Sequence, residues 1–224
     1  MSTSLALSPE IVAYLAAANP PEHPVLTRCR AETSAMGGVS IMQISAEQGA
    51  FMQLIARMLG AKRAFEVGVF TGYSALATAL TLRELHGRDA YLLACDISED
   101  WTNKARAFWK DAGVDGAIDL RVAPATETLD ERLAAGEGGS YDLGFIDADK
   151  TGYGAYYERG LQLLRPGGVM LFDNVLWSGA VSDSANQTPD TVALRALAQT
   201  ARGDARVHAV MAGIGDGLLM CLKK

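Results

Sequence analysis

Two apolar runs of this chain break, with no spacer, into residues that can do chemistry. Tyr141-Asp-Leu-Gly-Phe-Ile146 opens into Asp147, Asp149 and Lys150, and Val169-Met-Leu-Phe172, preceded by Pro166-Gly-Gly168, opens into Asp173-Asn174. Short apolar runs bounded by turn signals read as buried parallel strands, and ligands in open α/β sheets gather beyond the carboxyl ends of such strands. Two neighbouring strands would bring Asp147, Asp173 and Asn174 to one edge. That set offers only oxygen, which suits a hard divalent cation: magnesium first, with manganese or calcium also fitting. His23, His86 and His208 lie outside every motif, which argues against zinc. Lys150 follows Asp147 by three residues and can face the same point if the chain coils after the strand. It is a candidate general base, given either a depressed pKa or a substrate hydroxyl acidified by the ion. The plainer alternatives stand beside these: acids at strand ends are commonly solvated caps, and lysines commonly lie on the surface.

A third motif precedes both. Ala64-Phe-Glu-Val67 opens into Gly68-Val-Phe-Thr-Gly72-Tyr-Ser74 and then into a helix rich in alanine and leucine. A dinucleotide fingerprint needs three glycines in the order G-x-G-x-x-G. This loop has two, Gly68 and Gly72, and Glu66 stands where the first glycine would be. A carboxylate there repels pyrophosphate and suits a cation such as the amino group or sulfonium of S-adenosylmethionine. The next strand-like run, Tyr91-Leu-Leu-Ala-Cys95, ends in Asp96, the position from which an acid commonly binds ribose hydroxyls. An adenosyl ligand without phosphates is therefore favoured over a nicotinamide dinucleotide, although a glycine-rich turn after a strand is common in any α/β protein.

The elements that must position these residues alternate. Strands are expected over 63–67, 90–95, 118–122, 142–146 and 168–172, with helices over 73–84, 99–112, 126–135, 152–164 and 190–202 between and after them. Such alternation implies a parallel sheet covered on both faces. Two last strands near 206–211 and 217–222, joined through Gly213-Ile-Gly-Asp-Gly217, read as a hairpin closing the sheet. Ahead of the sheet, Ser8-Pro-Glu10 starts a helix that Asn19-Pro-Pro-Glu-His-Pro24 ends, and Ala31 to Gly38 reads as a polar connection. Ser45-Ala-Glu-Gln48 matches a capping box before a helix over 49–59. The first sixty residues are thus helical additions to one 224-residue α/β domain.

Net charge of −6 argues against nucleic acid or an anionic membrane as the main partner. No apolar run approaches the length of a membrane span, and Met1 to Glu10 lacks a basic leader, so a cytoplasmic protein is expected. Cys29, Cys95 and Cys221 are odd in number and far apart, as reduced core thiols would be.

Taken together, Phe65 to Ser74, Ala94-Cys-Asp96, Phe145 to Lys150 and Phe172-Asp-Asn-Val-Leu-Trp-Ser-Gly-Ala-Val181 resemble the cation-dependent O-methyltransferases of the caffeoyl-coenzyme A type, related to catechol O-methyltransferase. The likeness runs from about Ser40 to the C-terminus and includes Met42 to Gly49 and Ile214 to Gly217. It implies a Rossmann-like class I methyltransferase fold, with a seven-stranded, mostly parallel sheet and a C-terminal antiparallel hairpin. It further implies methyl transfer from S-adenosylmethionine to a hydroxyl of a catechol-like phenol, with a divalent cation assisting, in a homodimer. By the same likeness Glu66, Gly68, Ser74, Asp96 and the backbone near Ala125 hold the cofactor, Gly72 belongs to its loop, Met42 and Ile44 close over it, and Asp149 lies against it. Asp147, Asp173 and Asn174 become the metal ligands, Lys150 the base and Trp177 part of the substrate wall. Ile44 departs from the plant enzymes, which carry a hydroxyl residue there, and the 175–187 loop lacks their acceptor pattern. The rival readings are a nicotinamide-dependent oxidoreductase and a non-catalytic adenosyl-binding module.

Overall fold

The computed structural model describes residues 8–224. Its first helix, α1 (Pro9–Ala18), is capped by the Ser8 hydroxyl, which accepts the Ile11 amide, with proline at the first helical position. A second helix, α2 (Pro24–Ser34), was not foreseen, and its last turn takes up residues 31–34 of the segment read as a connection over 31–38. The prolines that end α1 also start α2: Pro24 occupies its first turn, and the His23 ring accepts the Val25 amide in place of a more usual cap. Polar composition misled here, because Leu26, Cys29 and Thr33 form a buried stripe among charged neighbours. A 3-10 helix over Gly37–Met42 leads to α3 (Ala46–Leu59), where the Ser45 hydroxyl accepts the Gln48 amide, the first half of the capping box, while the Gln48 side chain turns to the cavity instead of back to the Ser45 amide. Gly60, with φ of 56°, ends α3 in the left-handed region.

From there the chain alternates as expected: β1 (Arg63–Val67), α4 (Tyr73–His86), β2 (Tyr91–Asp96), α5 (Glu99–Asp111), β3 (Ile118–Val122), α6 (Ala125–Ala134), β4 (Tyr141–Ile146), α7 (Tyr153–Leu163), β5 (Leu164–Phe172), α8 (Pro189–Gly203), β6 (Val207–Ala212) and β7 (Leu218–Lys223). The seven strands form one sheet in the order β3-β2-β1-β4-β5-β7-β6. The first five are parallel, and β7 runs antiparallel to both neighbours, so the terminal hairpin closes the sheet. The strand β5 begins four residues before the expected 168, because Leu164 pairs with Tyr141 and a bulge absorbs the residues up to Val169, which pairs with Leu143.

Side chains alternate across the sheet. Ala64, Leu92, Ala94, Leu143 and Phe145 pack with α2 to α5 on one face. Phe65, Leu93, Cys95, Ile146 and Phe172 pack with α6 to α8 on the other. The three cysteines are free and buried. No helix of the described residues is long and apolar enough to cross a membrane. The strand order reverses between β1 and β4, since the chain builds outward to β3 and then returns to lay β4 beside β1. That reversal is where ligands bind in doubly wound sheets.

Candidate active site

A cavity of about 1160 Å³ opens at the reversal point, beyond the carboxyl ends of β1, β2, β4 and β5. Its wall contains Met42, Ile44, Gly68, Ser74, Asp96, Ala125, Asp147, Asp149, Lys150, Asp173, Asn174 and Trp177, so the structure brings nearly all the singled-out residues to one hollow. Two are not on that wall. Glu66 lies just behind it, 1% exposed, and Gly72 turns away from it. With φ of 86°, Gly72 starts α4 against α5, where a Cβ would come within 2.5 Å of the Ala105 methyl. Its carbonyl accepts the Trp109 indole N–H. That placement is a packing joint.

At the β1 end, Gly68 has φ of 93° and its amide donates to the Cys95 carbonyl. A Cβ there would stand 1.8 Å from the Asp147 carbonyl oxygen, so only glycine fits between β1 and β4. The Ser74 hydroxyl donates to Glu66 Oε1 (2.6 Å), while Glu66 Oε2 is buried without a partner. Burial pushes the Glu66 carboxyl up to about 8, aided by the charges of Asp147 and Asp96 and opposed by the Ser74 bond. A fully buried acid with one unpartnered oxygen is prepared for a cation or a donor.

Asp96, at the end of β2, accepts the Val69 and Phe70 amides on Oδ2 and the Ser98 amide on Oδ1. Three of about four lone-pair positions are taken, so one remains on Oδ1 for a ligand hydroxyl. The acid expected only to bind ligand therefore also shapes the loop, where Phe70 sits at φ of 51° and packs edge-on to Trp101. The first turn of α6 has no side-chain cap, which leaves amides near Ala125 free to face the cavity.

At the β4/β5 end, Ile146 is paired with Phe172, and the Asp173 amide donates to the Ile146 carbonyl, so the two strand ends are in step. Asn174 takes φ of 54°, a conformation asparagine tolerates better than most residues. Lys150 is 5% exposed, not a surface lysine. Its ammonium donates to Asp147 Oδ1 (3.0 Å), Asn174 Oδ1 (2.8 Å) and the Tyr153 hydroxyl (2.6 Å), using all three protons. The Tyr153 hydroxyl in turn donates to the Asp173 carbonyl (3.0 Å). Burial, then the neighbouring Asp147 charge, raises the Asp173 carboxyl to about 6. Asp149 accepts the Tyr156 hydroxyl (2.6 Å). Among the described residues no three His, Cys, Asp or Glu side chains are grouped to hold an ion, so the candidate ligand set rests on two carboxylates and one amide oxygen.

Sequence reading missed Tyr153, which the three-residue step from Lys150 could have flagged. It also missed Gln48, read only as a cap: its side chain is 2% exposed, with Nε2 unpartnered at the cavity wall. Asp216 was read only as part of the Ile214 to Gly217 motif and turn, and no local signal pointed to Arg195; both brace the loop after β5.

The O-methyltransferase family model matches residues 15–224. A probable caffeoyl-CoA O-methyltransferase 1 of Dictyostelium discoideum is 46% identical over 184 residues, 82% of this chain and 78% of its own length. The catechol O-methyltransferase domain-containing protein 1 of Mus musculus is 42% identical over 211 residues, 94% of this chain and 78% of its own. Among solved structures, an O-methyltransferase of Bacillus cereus in complex with SAH superposes with a TM-score of 0.85 at 26% identity, covering 96% of this chain and 97% of that one. The reversal-point cavity with its β1, β2, β4 and β5 motifs is thus carried on a class I methyltransferase fold, and the chain belongs to the O-methyltransferase family.

Proposed function

We propose that the chain, acting as one methyltransferase unit, transfers a methyl group from S-adenosylmethionine to one hydroxyl of a small vicinal dihydroxy aromatic, with a divalent cation assisting. The observation that carries this reading is that one continuous cavity joins an adenosyl-suited end at Gly68, Asp96 and Ala125, with Glu66 just behind it, to an oxygen-rich end at Asp147, Asp173 and Asn174. The relatives named for caffeoyl-CoA and catechol, and the SAH-bound neighbour, support both halves.

The residues fit the absent groups. The orphaned Glu66 oxygen suits the donor's ammonium, and Asp96 keeps one lone pair for a ribose hydroxyl. Asp147 and Asp173 are buried or nearly so and share a single counter-charge, Lys150, which leaves them short of positive charge. Asp147, Asp173 and Asn174 would hold the divalent cation, which would supply Lewis acidity toward a phenolic hydroxyl. Lys150, anchored by Tyr153, would take the proton of the reacting hydroxyl as the neutral amine, after releasing one of the three protons it donates here. Trp177, whose ring lies 5.5 Å from the Lys150 ammonium, walls the acceptor and excludes water. In-line placement of hydroxyl and methyl is what the cavity contributes beyond proton removal.

The acceptor is a small free phenol in preference to a coenzyme A thioester. Among the described residues, Lys150 is the single Lys or Arg on the cavity wall, against Asp96, Asp147, Asp149, Asp173 and Asp216. Residues 1–7 contain no Lys or Arg either. Phosphates of coenzyme A would meet carboxylates there.

The test is turnover of a catechol with S-adenosylmethionine and magnesium, read as S-adenosylhomocysteine and methylated product, beside titration with NAD. Binding of S-adenosylmethionine with no turnover across a catechol panel would leave the non-catalytic module standing, and NAD binding would restore the oxidoreductase.

A further inference from the structure

The connection from β5 to α8 is where the acceptor wall is built, and its geometry is unusual. Trp177, Ser178 and Gly179 follow one another at φ of 49°, 50° and 85°. Non-glycine residues in the left-handed region are strained and persist where surrounding contacts over-determine them. Most of 182–188 is exposed and belongs to no strand or long helix. Such segments sit at the low-stability end of a fold unless something ties them down.

Two groups do so, from opposite sides. The Ser178 amide donates to both Asp216 oxygens (2.8 and 2.9 Å) and the Leu176 amide to the Asp216 carbonyl (2.9 Å), which fixes the front of the loop to the β6–β7 turn. Behind it, Arg195 on α8 donates to four backbone carbonyls: Nε to Val181 (2.9 Å), Nη1 to Asn186 (2.8 Å), and Nη2 to Ala180 (3.2 Å) and Asp183. Among the described residues no carboxylate pairs with this guanidinium. A rigid five-donor fork is used here to hold irregular backbone, a task a point-charge lysine cannot repeat.

We propose that Arg195 is a positioning residue for methyl transfer: by clamping the carbonyls of Ala180 to Asn186 it holds the left-handed turn that aims Trp177 at the acceptor, and so selects which hydroxyl of an asymmetric diol faces the methyl donor. This rests on the proposed catechol methylation. Arg195 touches neither end of the cavity. Its effect passes through the loop to Trp177 and leaves the adenosyl end on β1 and β2 untouched.

The experiment compares Arg195→Met, Arg195→Lys and Trp177→Ala with the parent protein. Four readouts are taken: the ratio of the two monomethyl ethers from 3,4-dihydroxybenzoate, acceptor KM, S-adenosylmethionine affinity by calorimetry, and hydrogen exchange over 175–187. A shift of about 1 Å in a positioning group costs on the order of 10²-fold in rate. Both Arg195 variants are expected to lose kcat/KM toward the acceptor on that scale, to shift the product ratio toward that of Trp177→Ala, and to exchange faster over 175–187 with unchanged cofactor affinity. Combining Arg195→Met with Trp177→Ala adds no further change in product ratio. A purely structural role would lower melting temperature and cofactor affinity together without moving the ratio, and that outcome overturns the proposal. An unmoved exchange rate over 175–187 overturns it too, even if the parent protein methylates no catechol, in which case the proposed function fails separately.

Discussion

If Glu66 receives the ammonium of S-adenosylmethionine as proposed, binding of the methyl donor is pH-dependent in a way that can be worked out in advance. In the free protein its carboxyl is raised from the model-compound value of 4.5 to about 8. Burial is the main cause, and the Asp147 and Asp96 charges add to it. The acid is therefore mostly protonated at pH 7, while an ammonium partner demands the carboxylate. Binding must ionise it, at about 1.4 kcal/mol for each pH unit below the raised pKa. Affinity is expected to rise about tenfold from pH 6 to pH 7, with close to one proton released on binding; the donor's own α-amino group, with a pKa near 7.7 to 8.0, stays charged over that range. The same shift has a sign for stability. The raised pKa favours folding with the proton bound, so the contribution is full below about 4.5 and is lost as pH climbs toward about 8. Isothermal calorimetry in two buffers of different ionisation enthalpy, with chelator present so that Asp147 keeps its charge, reads the proton count directly. Glu66→Gln should abolish the pH slope between 6 and 7 and flatten the stability profile of the free protein. An equal dissociation constant at pH 6 and 7, or a slope that survives in Glu66→Gln, refutes the reasoning.

Activity on a catechol should vanish in excess chelator, return with magnesium or manganese, and be lost in Asp147→Ala and Asp173→Ala while calorimetry shows S-adenosylmethionine still bound. Lys150→Ala should lose on the order of 10² to 10⁴ in kcat at neutral pH, the usual worth of a positioned base, and recover part of it at high pH where the phenol ionises unaided. Kinetic comparison of caffeic acid with its coenzyme A thioester should favour the free acid, and a preference for the thioester would show that phosphates are met by cations outside the cavity wall. Sedimentation at micromolar concentration should give twice the 23.7 kDa chain mass, because α1 buries none of its ten residues and leaves Val12 and Tyr14 exposed for a second copy.

Local rules carried most of the fold and much of the site. Strand runs ending in charge placed Asp147, Asp173 and Asn174 on adjoining strand ends, because β4 and β5 pair in register and a strand end is a local property. Two classes of feature were hidden. One is function shared between ligand and scaffold: Asp96 reads as a ligand acid, yet its loop bonds to Val69 and Phe70 depend on a chain reversal that no window of sequence contains. The other is long-range bracing, as with Arg195, an ordinary helical arginine until α8 is laid behind the loop it holds. The missed α2 is a plainer failure: a narrow buried stripe in a charged helix falls below what composition alone reveals.

The joint at Gly68 ties the two halves of the cavity into one mechanism of change. Because its backbone rests against the Asp147 carbonyl, with no room for even a methyl, a shift in the 68–72 loop presses on the end of β4 that carries Asp147. Donor and acceptor preferences are therefore not separate dials. On the proposed function, remodelling residues 68–72 for a bulkier methyl-donor analogue is expected to change rate and regiochemistry at the other end in the same step, whereas varying the loop beyond Asn174 is expected to leave the cofactor end alone. Diversification of substrates is thereby channelled into the loop after β5.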